Sequence, residues 1–236
     1  MVDFCLTLPD KLPLSLAFNQ LRRAENDRCM RDLLKVLGLP YFGGQDWVLF
    51  ILRILVAITG ASGLLYAQRL LDNLDPKDHE IHVVMSNYAQ VVINEELPGG
   101  LRLPAGTATH SLKSMNAPFA SGSNAPDAMV IIPCTMGTLG RIAHGFSEDV
   151  LLRAADVVLK EKKKLILVPR ETPLNLVHVK NFELLILAGA TVLPANPAFY
   201  TSPQTVEEVV DTVVARVLDH LGVAHSLVKR WGEERE

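Results

Sequence analysis

The residues of this 236-residue chain best suited to chemistry are small hydroxyls and isolated charges, each placed just after an apolar run. Thr59-Gly60-Ala61-Ser62-Gly63 follows the stretch 54–58, Ser86 follows 81–85, and Thr135-Met136-Gly137-Thr138 follows 128–132. Arg170-Glu171 comes shortly after 165–168, and Tyr200 stands a few residues beyond 190–193. Hydroxyls and unpaired backbone amides satisfy phosphate oxygens, and Arg supplies a fixed charge, so an anion, most often phosphate, is the natural guest. The first stretch carries the sharpest expectation. An apolar strand that turns through two glycines into a helix approaches a ligand closely, with the helix's first amides outward, unpaired and open to an anion. Leu stands at 65, so the dinucleotide-binding G-x-G-x-x-G pattern is incomplete and a plain tight strand-to-helix turn stays open.

These positions need a scaffold that delivers them to one place. Residues 64–74 carry apolar side chains at 64, 65, 67, 70, 71 and 74, one broad helical face ended by Asp75-Pro76. The short apolar runs at 54–58, 81–85, 128–132, 165–168 and 190–193 read as strands, with helical stretches at 88–96, 136–144, 149–159, 174–188 and 206–221 among them. Thr172-Pro173 reads as the N-cap and first-turn pair of the helix over 174–188. Thr205 and Glu208 read as a capping box for the last helix, whose apolar positions keep a 3.6-residue period. Residues 99–124 read as a long polar connection closed by Ala120-Ser121-Gly122-Ser123, either a ligand-contacting loop or a spacer. Five strand–helix units predict an α/β fold, an open, mostly parallel sheet with helices on both faces and ligands outside the strands' carboxyl ends. That edge would gather Ser62, Ser86, Thr135, Thr138, Arg170, Glu171 and Tyr200 into one crevice.

With 49% hydrophobic and 21% charged residues the chain can bury one sizeable core. A formal net charge of −3 gives no field for nucleic acid, and the lysine-rich stretch 160–164 reads as a solvated helix end. Cys5, Cys29 and Cys134 form no C-x-x-C pair, and His110, His144 and His178 lack ligand spacing. A reduced, cytoplasmic protein without a metal is expected. Residues 1–50 differ in character: acids balance bases, and Pro9, Pro13, Pro40 and Gly43-Gly44 break any period, which fits neither a presequence nor a secretory signal. The apolar residues 47–52, interrupted by Arg53, are too short for a membrane span. One domain is expected over 51–236, with 1–50 an N-terminal extension of unknown role.

The chain resembles the flavin prenyltransferases of the bacterial UbiX and fungal Pad1 type. The resemblance runs from about 53 to 223 and rests on six motifs. They are Thr-Gly-Ala-Ser-Gly (59–63), Ala-Ser-Gly-Ser (120–123), Pro-Cys-Thr-Met-Gly-Thr-Leu (133–139), Arg-Ala-Ala-Asp-Val-Val-Leu-Lys-Glu (153–161), Val-Pro-Arg-Glu-Thr-Pro-Leu (168–174) and Pro-Ala-Phe-Tyr (197–200). It implies a flavodoxin-like (Rossmann-like) fold, FMN as bound flavin, dimethylallyl phosphate as co-substrate, no metal, and a homododecamer with active sites at subunit junctions. The implied activity joins a dimethylallyl group to N5 and C6 of reduced FMN, and the prenylated FMN passes to a UbiD-type decarboxylase. Carried over by residue, Gly60, Ala61, Ser62, Ser86, Thr135, Met136, Gly137, Thr138 and Arg170 hold FMN. Tyr200 and Arg216 grip dimethylallyl phosphate, with Lys160, Arg153 and Ser121 in support. Trp231 shields the prenyl group, and Glu171 manages the proton lost at ring closure. Ser62, Lys160, Glu171, Tyr200 and Arg216 form the implied catalytic set. The leader 1–50 has no counterpart in the family's pattern.

Each residue also has a plainer reading. Arg216, on the border of the last helix's apolar face, reads as a snorkelling surface residue. Glu171 reads as a first-turn acid favoured by the helix dipole, Tyr200 as a cap on the sheet's edge, and Cys134 as a buried thiol outside catalysis. A short-chain NAD(P) dehydrogenase also opens with a strand and Thr-Gly, yet Tyr66 and Tyr88 lack the Lys four residues on that it needs. An FMN-dependent cysteine-decarboxylase-like flavoprotein shares the fold but carries Pro-x-Met-Asn where this chain has Pro-Ala-Phe-Tyr. A non-catalytic flavin-binding protein would keep the FMN residues and lose the dimethylallyl-phosphate set, which is present here.

Overall fold

The strand before the double-glycine turn lies in the middle of the sheet, as its unbroken apolar run requires. This strand, β1 (Leu52–Ile58), is flanked by β2 (His79–Met85) and β4 (Ala128–Cys134). With β3 (Ala108–His110), β5 (Lys164–Pro169) and β6 (Thr191–Val192) they form one sheet in the order β3-β2-β1-β4-β5-β6, and every pairing is parallel. The structure is a computed structural model that describes residues 51–230 and 232. The expected leader 1–50 and Trp231 lie outside the described residues. Without the three-residue edge strand β3, the remaining strands take the flavodoxin order 2-1-3-4-5, whose switch point falls between β1 and β4. β3 lies inside the stretch expected to be a plain connection. Three residues carry no readable period, and pairing with residues 82–84 of β2 is what makes them a strand.

Alternation along β1 divides the core. Ile54, Val56 and Ile58 face α1 (Leu64–Asp72) and α6 (Val206–Leu221), while Leu55 and Ala57 face α3 (Met136–Ala143) and α4 (Val150–Lys160). Residues 54–58 are fully buried, and each large aliphatic side chain among them contributes about 1.5–3 kcal/mol. The turn that follows is therefore anchored to the most rigid part of the molecule. On the first face, Arg69 of α1 forks onto Asp211 of α6 through two bonds of 2.7 and 2.6 Å.

Two helix starts differ in detail from expectation. α5 (Leu176–Leu187) is capped by Asn175, whose side chain accepts the His178 N–H at 2.9 Å, and not by Thr172. Thr172 instead gives its own N–H to Glu171 Oε1 at 3.0 Å, leaving 172–174 as a link before the stronger Asn cap. At α6, Thr205 Oγ1 accepts the Glu208 N–H at 3.1 Å, but the Glu208 carboxylate reaches back to the N–H of Gln204, one residue earlier than a capping box requires.

Candidate active site

Thr59 bridges the switch point. Its N–H and hydroxyl both reach the Pro133 carbonyl, at 3.3 and 2.7 Å, and its Oγ1 accepts the Thr135 N–H at 2.8 Å. Thr135 then caps α3: its Oγ1 accepts the Thr138 N–H at 3.2 Å and lies 2.9 Å from Thr138 Oγ1. These two hydroxyls fix the helix start, and the first-turn amides of Met136 and Gly137 point outward, as helix geometry dictates. A side chain added at Gly137 would meet nothing within 4 Å, so the backbone there is bare. Ser86 caps α2 (Asn87–Glu96) in the same way, accepting the Ala89 N–H at 3.3 Å while its own N–H bonds the Ile58 carbonyl at 2.9 Å. Two helix N-termini thus flank the end of β1.

The turn itself departs from expectation. Gly63 caps α1 at φ 108°, a conformation that favours glycine. Its N–H and that of Leu64 both bond Glu96 Oε2, each at 2.8 Å. The amides expected to await an external anion are taken by the chain's own carboxylate, from the last residue of α2. Burial alone would raise the Glu96 pKa, but hydrogen bonds from the Ser62 hydroxyl and from the Leu64 and Gly63 amides, with the Arg170 charge nearby, hold it below the usual carboxylate value. Arg170 Nε donates to the Ser62 carbonyl at 3.0 Å, so the turn is gripped from both sides. The other end of α2 touches the same turn, because a Cβ on Gly60 would fall 2.6 Å from Cδ1 of Tyr88. α2 therefore lies along the turn rather than running down the sheet. Glu96 escaped sequence reasoning for that reason: a helix read as a simple crossover puts its last residue at the wrong edge.

The other expected residues are dispersed. Glu171 stays at the crevice beside Arg170 and is exposed. Tyr200, 48% exposed, follows β6, in a segment fastened to α6 by the Ala198 N–H on Thr212 Oγ1 at 3.0 Å. Arg216 is ten residues along α6, about 15 Å from its first turn. That helix runs toward the sheet's amino edge, where Lys164 Nζ meets the Leu221 carbonyl at 3.3 Å. Lys160 ends α4, also near the amino edge, and pairs with Glu161. Arg153, on α4, donates from Nε to the Ala120 carbonyl at 3.0 Å and from Nη1 to Asp156 at 2.9 Å. The hydroxyls of Ser121 and Ser123 lie 3.1 Å apart, and any side chain at Gly122 would strike Lys160 and Glu161. Among the described residues no three His, Cys, Asp or Glu side chains could hold a metal ion.

Comparison with known proteins decides what this arrangement belongs to. Residues 50–218 match the Flavoprotein family model. The flavin prenyltransferase UbiX of Alkalihalophilus pseudofirmus is 45% identical over 190 residues, covering 75% of this chain and 95% of that protein. This chain belongs to the UbiX-type flavin prenyltransferase family. A crystal structure of AnUbiX (PadA1) in complex with FMN and dimethylallyl pyrophosphate matches at a TM-score of 0.72 and 37% identity, over 78% of this chain and 100% of that one. A dodecameric FMN-dependent UbiX-like decarboxylase from Escherichia coli O157:H7 matches at 0.72 and 41%, over 76% and 98%. In this UbiX-type chain the described residues expected at the site fall into a crevice group (Gly60, Ala61, Ser62, Ser86, Thr135 to Thr138, Arg170, Glu171), Tyr200 beyond β6, a group on the α4 flank (Ser121, Arg153, Lys160), and Arg216 alone on α6.

Proposed function

We propose that this chain is a cytoplasmic flavin prenyltransferase that joins a dimethylallyl group from dimethylallyl phosphate to N5 and C6 of reduced FMN, the product passing to a UbiD-type decarboxylase. The observation that carries the reading is the crevice at the β1/β4 switch point, where bare backbone, two capped helix N-termini and Arg170 converge. FMN fits this donor set. The N-termini of α2 and α3 suit its phosphate, since Glu96 occupies that of α1. The open backbone at Gly137 leaves room for a flat ring, whereas the space beside Gly60 is taken by the Tyr88 ring. Reduced FMN supplies the nucleophile when bound. The chain's own residues do the rest. Lys160, Tyr200 and Arg216 donate to the departing phosphate as charge develops on it, and Trp231 shields the allylic carbon. Ser62, its hydroxyl on Glu96, and Glu171 hold the protons that ring closure releases.

Lys160 and Arg216 lie toward the amino edge of the sheet, away from the crevice at its carboxyl edge, so in this reading they complete the crevice of a neighbouring copy. Self-association is supported by α5, which exposes Leu176, Val177, Val179, Leu184, Ile186 and Leu187 while burying Asn181 and Leu185. The assembly is taken to be a homododecamer, with residues 51–236 as the prenyltransferase domain and 1–50 as an extension outside the site. Titration with FMN, FAD and NADP should show FMN alone binding, about one per subunit. Anaerobic incubation of the FMN-loaded enzyme with reductant and dimethylallyl phosphate should add one prenyl unit to the flavin by mass. NADP binding without FMN binding would overturn the reading. Mixing inactive Ser62→Ala and Lys160→Ala subunits should restore activity if Lys160 acts in a neighbour, and restore none if it acts within its own chain.

A further inference from the structure

Asp219 stands in the last turn of α6, where a negative charge opposes the helix dipole. Its carboxylate nevertheless gathers three donors. Arg216 Nη1 bonds Oδ2 at 3.0 Å, Arg230 Nη2 bonds Oδ1 at 2.8 Å, and His225 Nε2 lies 3.3 Å from Oδ1. The His225 side chain is only 5% exposed, and its Nδ1 accepts the Leu227 N–H at 3.4 Å. With Nδ1 accepting, Nε2 is the ring nitrogen that donates to Asp219. The chain reverses at Gly222 (φ 82°), where the Gly222 and Val223 N–H groups close on the Leu218 carbonyl at 2.8 and 3.0 Å. Val223 and Leu227 then pack on the core beneath. Residues 223–230 are thus folded back along α6, and Asp219 joins helix to tail.

Two guanidiniums share this carboxylate, and the Arg216 side chain remains 63% exposed at the outer end. Arg is costly to orient, because its long side chain samples many rotamers until something holds it. Asp219 removes that freedom before an anion arrives.

We propose that Asp219 is the positioning residue for Arg216: it fixes the guanidinium on the flank of α6 and couples it to the tail through Arg230 and His225, so that the phosphate of the prenyl donor meets a donor already oriented. This rests on the reading of Arg216 as a phosphate donor. Two physical effects make opposite forecasts for Asp219→Asn. If Asp219 matters only through its charge, removing it raises the local positive potential and tightens phosphate binding. If it positions Arg216, binding weakens.

The experiment uses the full chain loaded with oxidised FMN, which cannot turn over, and titrates dimethylallyl phosphate calorimetrically into wild type, Asp219→Asn, Arg216→Ala and the double variant. Positioning predicts wild-type FMN content throughout, a Kd raised about tenfold by Asp219→Asn, and a double variant that binds no more weakly than Arg216→Ala. Unchanged or tighter binding by Asp219→Asn overturns the proposal, as does an equal loss when Arg216 is already absent. Wild-type affinity in Arg216→Ala overturns the phosphate-donor reading and this proposal together, whereas a loss there with none in Asp219→Asn overturns the proposal alone. Should Asp219→Asn fail to fold, Asp219→Glu keeps the charge but displaces the carboxylate by one methylene. It must still weaken binding, and wild-type affinity in that variant overturns positioning.

Discussion

Replacing Glu96 by Gln tests the least expected feature of the crevice. The substitution keeps the shape and one acceptor oxygen but removes the charge, so the bonds from the Gly63 and Leu64 amides persist in weaker form. A hydrogen bond to a charged group contributes about 1.5–3 kcal/mol against about 0.5–1.5 for a neutral one. An anion at a helix N-terminus adds about 0.3–1 kcal/mol. Glu96 is only half-buried, so solvent discounts both, and the net loss should be about 1–2 kcal/mol. For a domain of this size that lowers Tm by roughly 2–8 °C. The sign of the pH dependence follows from the direction of the shift. The folded pKa is depressed, so the stabilisation is fully present above the unfolded value and is lost as pH falls through the folded one. Thermal unfolding of both proteins should therefore show the full gap at pH 7 and a narrowing gap below about pH 4. FMN affinity should not fall, because the flavin phosphate is assigned to α2 and α3 and loses a nearby negative charge. Equal Tm values at pH 7, or a gap that persists unchanged into acid, would refute the argument.

Other outcomes can be checked independently. Gly63→Ala forces a side chain into φ 108° against the Tyr66 ring, 3.0 Å from the new Cβ; the strain of about 1–2 kcal/mol should lower Tm by several degrees and be visible in a melt. Arg69→Ala leaves Asp211, 9% exposed, without its forked partner, at a cost of about 2–4 kcal/mol by urea unfolding; a wild-type midpoint would show that the pair contributes nothing. Burial pushes the Cys134 thiol up to about 12, so the peptide that contains it should stay unalkylated by iodoacetamide at pH 8 until the protein unfolds. Deleting residues 1–50 should leave FMN binding and prenylation at wild-type levels, and a folded truncation that no longer binds FMN would place the leader in the site.

The parts of the fold that could be read from the sequence are those where local pattern and tertiary role coincide. Residues 54–58 are apolar on both faces because β1 is covered on both faces, and the alternation of strands and helices left one sheet architecture and one functional edge. The crevice residues Ser62, Ser86, Thr135 and Arg170 followed from chain order alone, since every strand ends at that edge. β3 was illegible because three residues have no period, and the start of α5 because two plausible caps, Thr172 and Asn175, lie three residues apart and only the hydrogen bonds choose between them. Glu96 was illegible for a deeper reason: its role depends on the direction of α2, and amphipathic pattern fixes a helix's buried face but not its axis.

The same distinction bears on Lys160 and Arg216. Motif resemblance assigns them to the site, but a linear motif does not say in which copy's crevice a residue acts. The helix directions are what support the proposal of a neighbour's crevice. α4 carries Lys160, and α6 carries Arg216, toward the amino edge of the sheet, while the flavin set gathers at the carboxyl edge. Within one chain the two requirements conflict, unless a second copy presents its amino-edge cations to the first copy's crevice. The exposed apolar surface of α5 then has a purpose under the proposed self-association, as the face on which other copies would pack. A charged substitution at Leu187, the most exposed of the large apolar residues of α5, should by this reasoning lower oligomer size and prenyl transfer together while each subunit still binds FMN. Size-exclusion chromatography with light scattering, run beside the prenylation assay, separates the cases: a dissociated variant with full turnover would mean that one chain holds a complete site.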